Sequence, residues 1–198
     1  MSAIDAIGAA RVLPVLRTAT ADEAVAQARA VLAAGLDVVE LTATTPGWAQ
    51  ALRALRAEAP HATLGVGTVA DAATAEEAAG LGAAFLVSPW PAPDAREAAG
   101  RAGVPLLEGG LTPGEIAAAA ARGVAKLFPA HVGGPAYLRS MLAVLPGARI
   151  VPTGGIRLEE APAWLEAGAF AVGVGSDLLS GGDVAARLSA VLGREPAS

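Results

Sequence analysis

The stretch VLPVLRTATADEAVAQARAVLAAGLDVVELT, residues 12–42, holds one complete unit of a pattern that repeats along the chain. It opens and closes with short apolar runs, VLPVL and DVVELT, which are typical of buried strands. Between them, Val25 and Ala28 fall on one face of a predicted helix. That helix begins with a T-x-x-E capping box at Thr20, and Gly35 follows it as a C-terminal cap. The stretch therefore predicts a strand, a helix and a second strand.

The same alternation continues along the chain, with successive apolar runs starting about 20 to 26 residues apart, enough for a strand, a helix and two turns. The predicted strands are VLPVL (12–16), DVVELT (37–42), TLGVGT (63–68), AFLVS (84–88), VPLLEG (104–109), VAKLFP (124–129), RIVPTG (149–154) and FAVGVG (170–175). Eight such units predict an α/β protein whose parallel strands close into a (β/α)8 TIM barrel, with residues 1–198 as a single domain. An open doubly wound sheet is the alternative, but its usual glycine-rich first turn is missing from VLPVLRTAT.

Helix boundaries are marked in the later units as well. T-x-x-E capping boxes at residues 74–77 and 112–115 predict two further helix starts. Pro46 and Pro113 each follow a threonine and are predicted to occupy first helical positions. The glycines predicted to cap helix ends are Gly35, Gly82, Gly103, Gly123 and Gly168.

The composition narrows the classes of function. Hydrophobic residues make up 54% of the chain and charged residues 17%, so a sizeable core is expected. A net charge of −5 and the lack of a basic stripe argue against a nucleic-acid partner. The longest run without a charged residue, residues 78–93, is too short and too rich in proline to span a bilayer, so no membrane partner is expected. Because MSAIDAIGAA does not read as a signal peptide, we expect a cytoplasmic protein.

The sequence contains few side chains that could bind a metal ion, and it contains no thiol. It has no cysteine, and its two histidines, His61 and His131, are predicted at opposite ends of the barrel. Two histidines so placed do not make a metal site, and no cofactor is expected. His131 follows KLFPA and is predicted to lie near the mouth of the barrel.

The stretch GVAKLFPAH, residues 123–131, contains the only lysine of a chain that has thirteen arginines. Lys126 is embedded in a predicted strand, and burying an ammonium is expensive unless it is paired or loses its proton. A neutral amine is a nucleophile, whereas arginine stays protonated. Lys126 is therefore either a Schiff-base lysine that attacks a carbonyl substrate, or a lysine that reaches the rim or pairs with Glu40 or Glu108.

Two other charged residues lie at predicted strand ends, where (β/α)8 barrels place their chemistry. Glu40 shares a strand face with Val38, and in a barrel that face could be the interior. A carboxyl group there can shuttle protons if its pKa is raised, or it forms a salt bridge with Arg17 or Lys126. Arg17 follows the first strand, where it could hold a carboxylate in bidentate fashion or remain a solvated loop charge.

The last two predicted strands end in glycine-containing segments, PTGGI with Gly154 and Gly155, and GVGSDL with Gly175 and Ser176. Glycines let backbone N–H groups approach an anion, and phosphate commonly binds at this place in such barrels. A phosphate site is therefore predicted, although two tight turns would explain the same glycines.

These residues and their spacing resemble a known family. VVELTATTPGW, GVGTV, SP, KLFPA, GG and GVGSDL follow one another as in the class I aldolases of 2-keto-3-deoxy-6-phosphogluconate and 2-keto-3-deoxy-6-phosphogalactonate. The resemblance covers about residues 11–180. It implies a (β/α)8 barrel, usually a homotrimer, that needs no metal and cleaves a phosphorylated keto-deoxy acid to pyruvate and D-glyceraldehyde 3-phosphate.

The resemblance also implies roles for individual residues. Lys126 forms an imine with the C2 carbonyl of the substrate, and Glu40 shuttles protons. The substrate-binding residues that it implies are Arg17 and Thr68 for the carboxylate, Pro89 and Phe128 for the walls, and Gly154, Gly155, Gly175 and Ser176 for the phosphate.

Two positions depart from the family pattern. Gluconate-type members commonly carry an arginine where this chain has Thr44, whereas galactonate-type members carry one just after the first strand, as Arg17 does here in PVLR. The resemblance therefore favours the galactonate-like branch. Glu108 stands where these enzymes tend to have proline. At the mouth, its carboxylate would repel an anionic substrate or pair with Lys126.

Two other functions remain open on the sequence. A phosphosugar isomerase or epimerase on the same barrel would use Glu40 as a base, with Lys126 as an electrostatic aid. A catalytically silent barrel would bind a phosphorylated acid without turnover. Release of an aldehyde distinguishes the aldolase from both.

Overall fold

Eight parallel strands alternate with helices in residues 1–193, the part of the chain that the computed structural model describes. The strands are β1 (Val12–Leu16), β2 (Val38–Thr42), β3 (Thr63–Gly67), β4 (Phe85–Val87), β5 (Leu106–Gly110), β6 (Val124–Leu127), β7 (Arg149–Pro152) and β8 (Val172–Val174). They pair in the order β7-β6-β5-β4-β3-β2-β1-β8, and a parallel bridge between Thr153 and Gly173 joins β7 to β8. The predicted (β/α)8 barrel is confirmed, and each predicted apolar run contains a strand.

Helices surround this barrel, as the alternation predicts. They are α1 (Ala3–Ala10), α2 (Ala21–Ala33), α3 (Trp48–Glu58), α4 (Ala72–Gly80), α5 (Pro93–Ala102), α6 (Pro113–Ala120), α7 (Gly134–Val144), α8 (Ala161–Glu166) and α9 (Val184–Leu192). Helix α1 packs against β1 and β2 near their first residues and covers the N-terminal end of the barrel. No helix within residues 1–193 has both the length and the apolar character that a membrane crossing needs.

Two of the predicted helix starts are confirmed by hydrogen bonds. The hydroxyl of Thr20 accepts the N–H of Glu23, so Thr20 caps the N-terminus of α2. At α6, Thr112 and Glu115 form a complete capping box, with Pro113 at the first helical position. The five predicted C-terminal cap glycines all have positive φ angles, which suit glycine after a helix.

The other two helix starts were placed wrongly. Helix α4 begins at Ala72, two residues before Thr74, because Asp71 accepts the N–H of Thr74 and acts as the cap. Pro46 lies in a turn ahead of α3, which begins after Gly47 at φ 74°. Thr45, expected to cap that helix, instead accepts the N–H of Thr18 in the neighbouring loop.

Glycines on the inner face of β3 make room inside the barrel. A Cβ atom on Gly65 would overlap the ring of Phe85, which is fully buried. A Cβ atom on Gly67 would overlap the carboxyl group of Glu40. The alternation in LGVGT therefore leaves a groove along the inner face, and a large side chain of β4 and a charged one of β2 fill it.

Candidate active site

Lys126 and Glu40 face each other across the inside of the barrel. Strands β6 and β2 are not neighbours in the sheet, so their side chains meet only through the interior. The Lys126 Nζ atom lies 3.8 Å from Glu40 Oε1, and the two side chains are 6% and 1% exposed. The ring of Phe128, two residues further along, lies with its centroid 5.3 Å from Nζ. The predicted pairing of the lysine with Glu40 is therefore present, and both groups are shielded from water.

The carboxyl group of Glu40 is buried without a hydrogen bond. Neither Oε1 nor Oε2 has a hydrogen-bond partner within residues 1–193. Burial raises the pKa of Glu40 above its usual range, and the positive charges of Lys126 and Arg17 oppose that rise without cancelling it. A carboxyl group that holds its proton to higher pH and has free lone pairs can exchange a proton with a bound molecule.

Arg17 follows β1 and reaches over the mouth to two threonines. Its guanidinium donates to the hydroxyl of Thr44 and, over 3.0 Å, to that of Thr68. Thr68 has a φ angle of 59°, which a β-branched residue seldom adopts, so the structure holds it in a strained conformation. Both partners are neutral hydroxyls, and the guanidinium therefore keeps its charge available for an anion at the mouth.

A chain of hydroxyl groups fixes the loop that carries Thr44. Thr44 donates to Thr42 over 3.3 Å, and Thr42 lies 3.3 Å from the hydroxyl of Thr45. The hydroxyl of Thr45 also accepts the N–H of Thr18 in the loop after β1. The loops that bear Arg17 and Thr44 are thus tied together.

Pro89 lies against β5, the strand next to the one that carries the lysine. Gly109 of β5 pairs with Lys126 in the sheet, and a Cβ atom there would overlap the backbone of Ser88 and Pro89. The N–H of Gly109 also donates to the hydroxyl of Ser88 over 3.3 Å. Pro89 is buried, and the segment after β4 packs against the inner face of β5.

The two glycines after β7 are required by their conformation and by their neighbours. Gly154 and Gly155 have φ angles of 97° and 69°, in the left-handed region. A Cβ atom on Gly154 would lie 2.9 Å from the ring of Phe128, and one on Gly155 would lie 2.6 Å from Nδ1 of His131. His131 is exposed at the mouth, with Nδ1 3.2 Å from the Gly154 carbonyl oxygen.

Gly175 and Ser176, after β8, are held next to this loop by a residue that the sequence did not single out. Asp177 accepts the N–H of Leu158, 2.8 Å away, in the segment after β7. Arg187 of α9 donates to the carboxylate and the carbonyl oxygen of Asp177. Nothing in the spacing of SDL marks this role, because the partners are remote in sequence.

Glu108 does not lie in the mouth, and the expectation that it faces an anionic substrate or Lys126 was wrong. It pairs in the sheet with Ala125 rather than Lys126, so its side chain lies on the outer face of β5. Its carboxylate accepts the N–H of Ala92 over 2.8 Å and hydrogen bonds from Arg96 and Arg122. The period-two alternation of the strand explains this, since adjacent residues point to opposite faces.

This combination of fold and site is that of a (β/α)8-barrel enzyme with a buried amine and a carboxyl group poised for carbonyl chemistry. A sequence model of the family described as "KDPG and KHG aldolase" matches residues 4–189. The chain belongs to this family and is therefore an aldolase, which is a lyase. Membership decides against the isomerase and the silent barrel.

Relatives and solved structures agree with this assignment. The chain is 39% identical over 152 residues to 2-dehydro-3-deoxy-phosphogluconate aldolase of Pseudomonas aeruginosa, covering 75% of this chain and 69% of the relative. It is 33% identical over 174 residues to 2-dehydro-3-deoxy-6-phosphogalactonate aldolase of Escherichia coli, covering 86% and 85%. It also resembles the crystal structure of KDPG aldolase from Legionella pneumophila with pyruvate captured as a covalent carbinolamine intermediate, with a TM-score of 0.84, 26% identity and 96% of each chain covered.

Proposed function

We propose that this enzyme cleaves a 2-keto-3-deoxy-6-phospho sugar acid to pyruvate and D-glyceraldehyde 3-phosphate through a Schiff base on Lys126. The observation that carries the proposal is the buried Lys126 Nζ, 3.8 Å from a buried carboxyl group that has no hydrogen-bond partner in the described part of the chain. The names of the relatives supply the substrate class, and the Legionella structure shows that a related barrel captures pyruvate covalently.

The reaction follows from an amine as nucleophile. Neutral Lys126 adds to the C2 carbonyl, and the carbinolamine loses water to give a protonated imine. As the C4 hydroxyl of the substrate loses its proton to a base, the C3–C4 bond breaks and the imine accepts its electron pair, which releases the aldehyde and leaves an enamine. Protonation of the enamine at C3 restores the imine, and water then releases pyruvate and the free amine.

Glu40 is proposed to carry the protons of these steps. Its raised pKa lets the group hold a proton and return it under the same conditions. The separation of 3.8 Å from Nζ exceeds a hydrogen bond, so the proton passes by way of a water molecule or a substrate oxygen.

The two anionic ends of the substrate are assigned to two separate groups of residues. Arg17 and Thr68 are proposed to hold the carboxylate next to the keto group, since a guanidinium and a hydroxyl both donate to it. The proposed walls are Phe128 and Pro89. The proposed phosphate-binding residues are Gly154, Gly155, Gly175 and Ser176.

The preferred epimer is proposed to be the galactonate. Arg17 donates to Thr44, the position where the gluconate-type pattern has an arginine, so the guanidinium from the first strand occupies that region. Rates of aldehyde release from the gluconate and galactonate epimers, compared side by side with a coupled dehydrogenase, test this preference.

A cytoplasmic homotrimer is proposed on the resemblance to the family. Light scattering on the purified protein tests the assembly, with an expected mass of three times the 19.4 kDa chain.

Borohydride trapping tests the Schiff base itself. With pyruvate present, reduction should add a pyruvyl-sized mass to the intact wild-type protein. Lys126→Arg should gain no such mass, because arginine stays protonated. Absence of the adduct in the wild type, or its persistence in Lys126→Arg, would rule out the mechanism.

A further inference from the structure

The segment 88–92 joins β4 to α5 and passes along the mouth, and its first residues are fixed from the inner face of β5. Gly109 donates its N–H to the hydroxyl of Ser88, and its lack of a side chain lets the backbone of Pro89 lie against the strand. The hydroxyl of Ser88 in turn donates to the carbonyl oxygen of Trp90 over 2.8 Å.

The last residue of the segment is fixed from the outer face of the same strand. Ala92 is the N-cap of α5 and has no side-chain oxygen to cap the helix. Its N–H donates instead to Glu108 Oε1 over 2.8 Å. A carboxylate at a helix N-terminus is also favoured by the helix dipole. Two consecutive residues of β5, Glu108 and Gly109, therefore hold the two ends of the segment.

The carboxylate of Glu108 is itself held in place by two arginines. Arg96 of α5 donates to both carboxylate oxygens, over 2.7 and 3.0 Å, and Arg122 donates from the turn before β6. The Glu108 side chain is 3% exposed, so its carboxylate is shielded from water on the side away from the two half-exposed arginines. Arg122 stands four residues before Lys126, and one carboxylate thus links the mouth segment to the strand that bears the lysine.

We propose that Glu108 is a positioning residue, which holds segment 88–92 and with it Pro89 against Gly109, the sheet partner of Lys126. A side chain without an acceptor, such as alanine, would leave the N–H of Ala92 without this partner. The proposal rests on the proposed function, because Pro89 can line a substrate site only if substrate binds at the Schiff-base lysine.

The test compares Glu108→Ala and the milder Glu108→Gln with Ile7→Ala. Ile7 is a fully buried residue of α1 at the opposite end of the barrel, so its variant lowers stability without touching the mouth. Two quantities are measured for each protein: kcat/KM for aldehyde release, and acrylamide quenching of tryptophan fluorescence. Trp90 lies within the segment and is 54% exposed. The same variants in a Trp90→Phe background assign any change in quenching to this residue.

We expect kcat/KM of Glu108→Ala to fall about 10- to 100-fold below that of Ile7→Ala, compared well below both melting temperatures, as misplaced site groups do. Glu108→Gln should show a smaller fall in the same direction. Quenching should rise in both Glu108 variants and the rise should vanish without Trp90. Unchanged quenching, or a kcat/KM equal to that of Ile7→Ala, overturns the proposal. If the wild type releases no aldehyde, the proposed function fails, and the quenching result still decides whether Glu108 holds the segment.

Discussion

Glu40 and Glu108 are two buried carboxyl groups on strands of one barrel, and the structure holds them in opposite ways. Glu40 lies on the inner face, where neither oxygen has a hydrogen bond within residues 1–193. Glu108 lies on the outer face and accepts hydrogen bonds from Ala92, Arg96 and Arg122. Burial acts to raise the pKa of both. In Glu108, the hydrogen bonds from Ala92, Arg122 and Arg96 prevail and hold the pKa below its usual range, whereas the pKa of Glu40 stays raised.

The two carboxyl groups differ in hydrogen bonding rather than in burial: the one proposed to be reactive has no partner within residues 1–193, whereas the structural one has three. A buried polar group without a partner destabilises the fold, and such groups persist where a bound molecule is to interact with them. A fully bonded carboxylate fixes the elements around it and has no lone pair to offer. Substitutions at the two positions should therefore separate activity from stability.

The largest expected effect is on the activity of Glu40→Gln. An amide cannot relay a proton, so kcat should fall by about 100- to 10,000-fold, the usual contribution of a general acid–base group. The melting temperature should change less than in Glu108→Gln, because no hydrogen bond of the carboxyl group is lost. Steady-state kinetics and thermal unfolding of the two variants check this.

Glu108→Gln is the matched variant for that experiment. The same change removes charge-assisted hydrogen bonds from Arg96 and Arg122, and about 1–3 kcal/mol of unfolding free energy should be lost. A wild-type kcat in Glu40→Gln, or a lower stability of Glu40→Gln than of Glu108→Gln, would contradict the different roles of the two carboxyl groups.

Gly67→Ala should produce the next largest effect, because it displaces the same carboxyl group without changing its chemistry. The added methyl would overlap the Glu40 side chain and push it from its place opposite Lys126. We expect kcat/KM to fall by about 10- to 100-fold, as displacements of about 1 Å do. The kinetics of aldehyde release measure it.

Gly100→Ala serves as its control. Gly100 lies inside α5, and a Cβ atom there would meet nothing within 4 Å among residues 1–193. Alanine should leave kcat unchanged and add about 0.5–1 kcal/mol of stability, because it restricts the unfolded chain. Equal losses of activity in both variants would show that the contact with Glu40 is irrelevant.

The opposite pKa directions predict opposite dependences of stability on pH. The pKa of Glu108 is lowered, so its contribution is present above the unfolded value of about 4.3 and is lost as the pH falls through the folded pKa. The pKa of Glu40 is raised, so its contribution is present below about 4.3 and is lost as the pH rises through the folded pKa.

Urea unfolding from about pH 3 to about pH 8 measures both dependences. The stability of the wild type relative to Glu108→Gln should grow with pH, and relative to Glu40→Gln it should decline. Two curves of the same sign would contradict the assignment of the carboxyl groups to different roles.

The strand pattern allowed the barrel to be predicted from the sequence, whereas the strand face on which a given side chain lies was harder to predict. Apolar runs at regular spacing predicted the order of elements, and the position of the lone lysine in VAKL indicated a buried side chain. The face that Glu40 shares with Val38 could be the interior on the sequence alone, and the structure places Glu40 there, opposite Lys126. Glu108 was placed wrongly because the register between β5 and β6 depends on packing of the whole barrel.

Contacts between remote loops were beyond the reach of the sequence. Asp177 joins the loops after β7 and β8, but its partners Leu158 and Arg187 are set by tertiary packing. The sequence does contain a signal for the role of Gly67, because glycines at alternate positions of TLGVG leave one strand face empty. What that space receives could not be predicted, since the occupant comes from the neighbouring strand.

The smallest expected effect extends the comparison to the cations. Arg96 and Arg122 are neutralised by Glu108, whereas Arg17 donates to the hydroxyls of Thr44 and Thr68 and keeps its charge for a substrate. Thr44→Val replaces threonine with a side chain of similar volume that lacks the hydroxyl. The Arg17 guanidinium then loses its hydrogen bond to that hydroxyl and is held less firmly. The loss of one hydrogen bond, about 0.5–1.5 kcal/mol, should raise KM about two- to tenfold with kcat nearly unchanged.

Thr112→Val is the control, at the start of α6. Its hydroxyl accepts the N–H of Glu115 and does not touch Arg17, so this variant should lower the melting temperature and leave KM close to that of the wild type. Kinetics with the galactonate epimer compare the two. If Thr44→Val lowers kcat at constant KM, Arg17 acts on the chemical step rather than on binding, and the uncompensated cation belongs with Lys126 and Glu40 instead of with the substrate carboxylate.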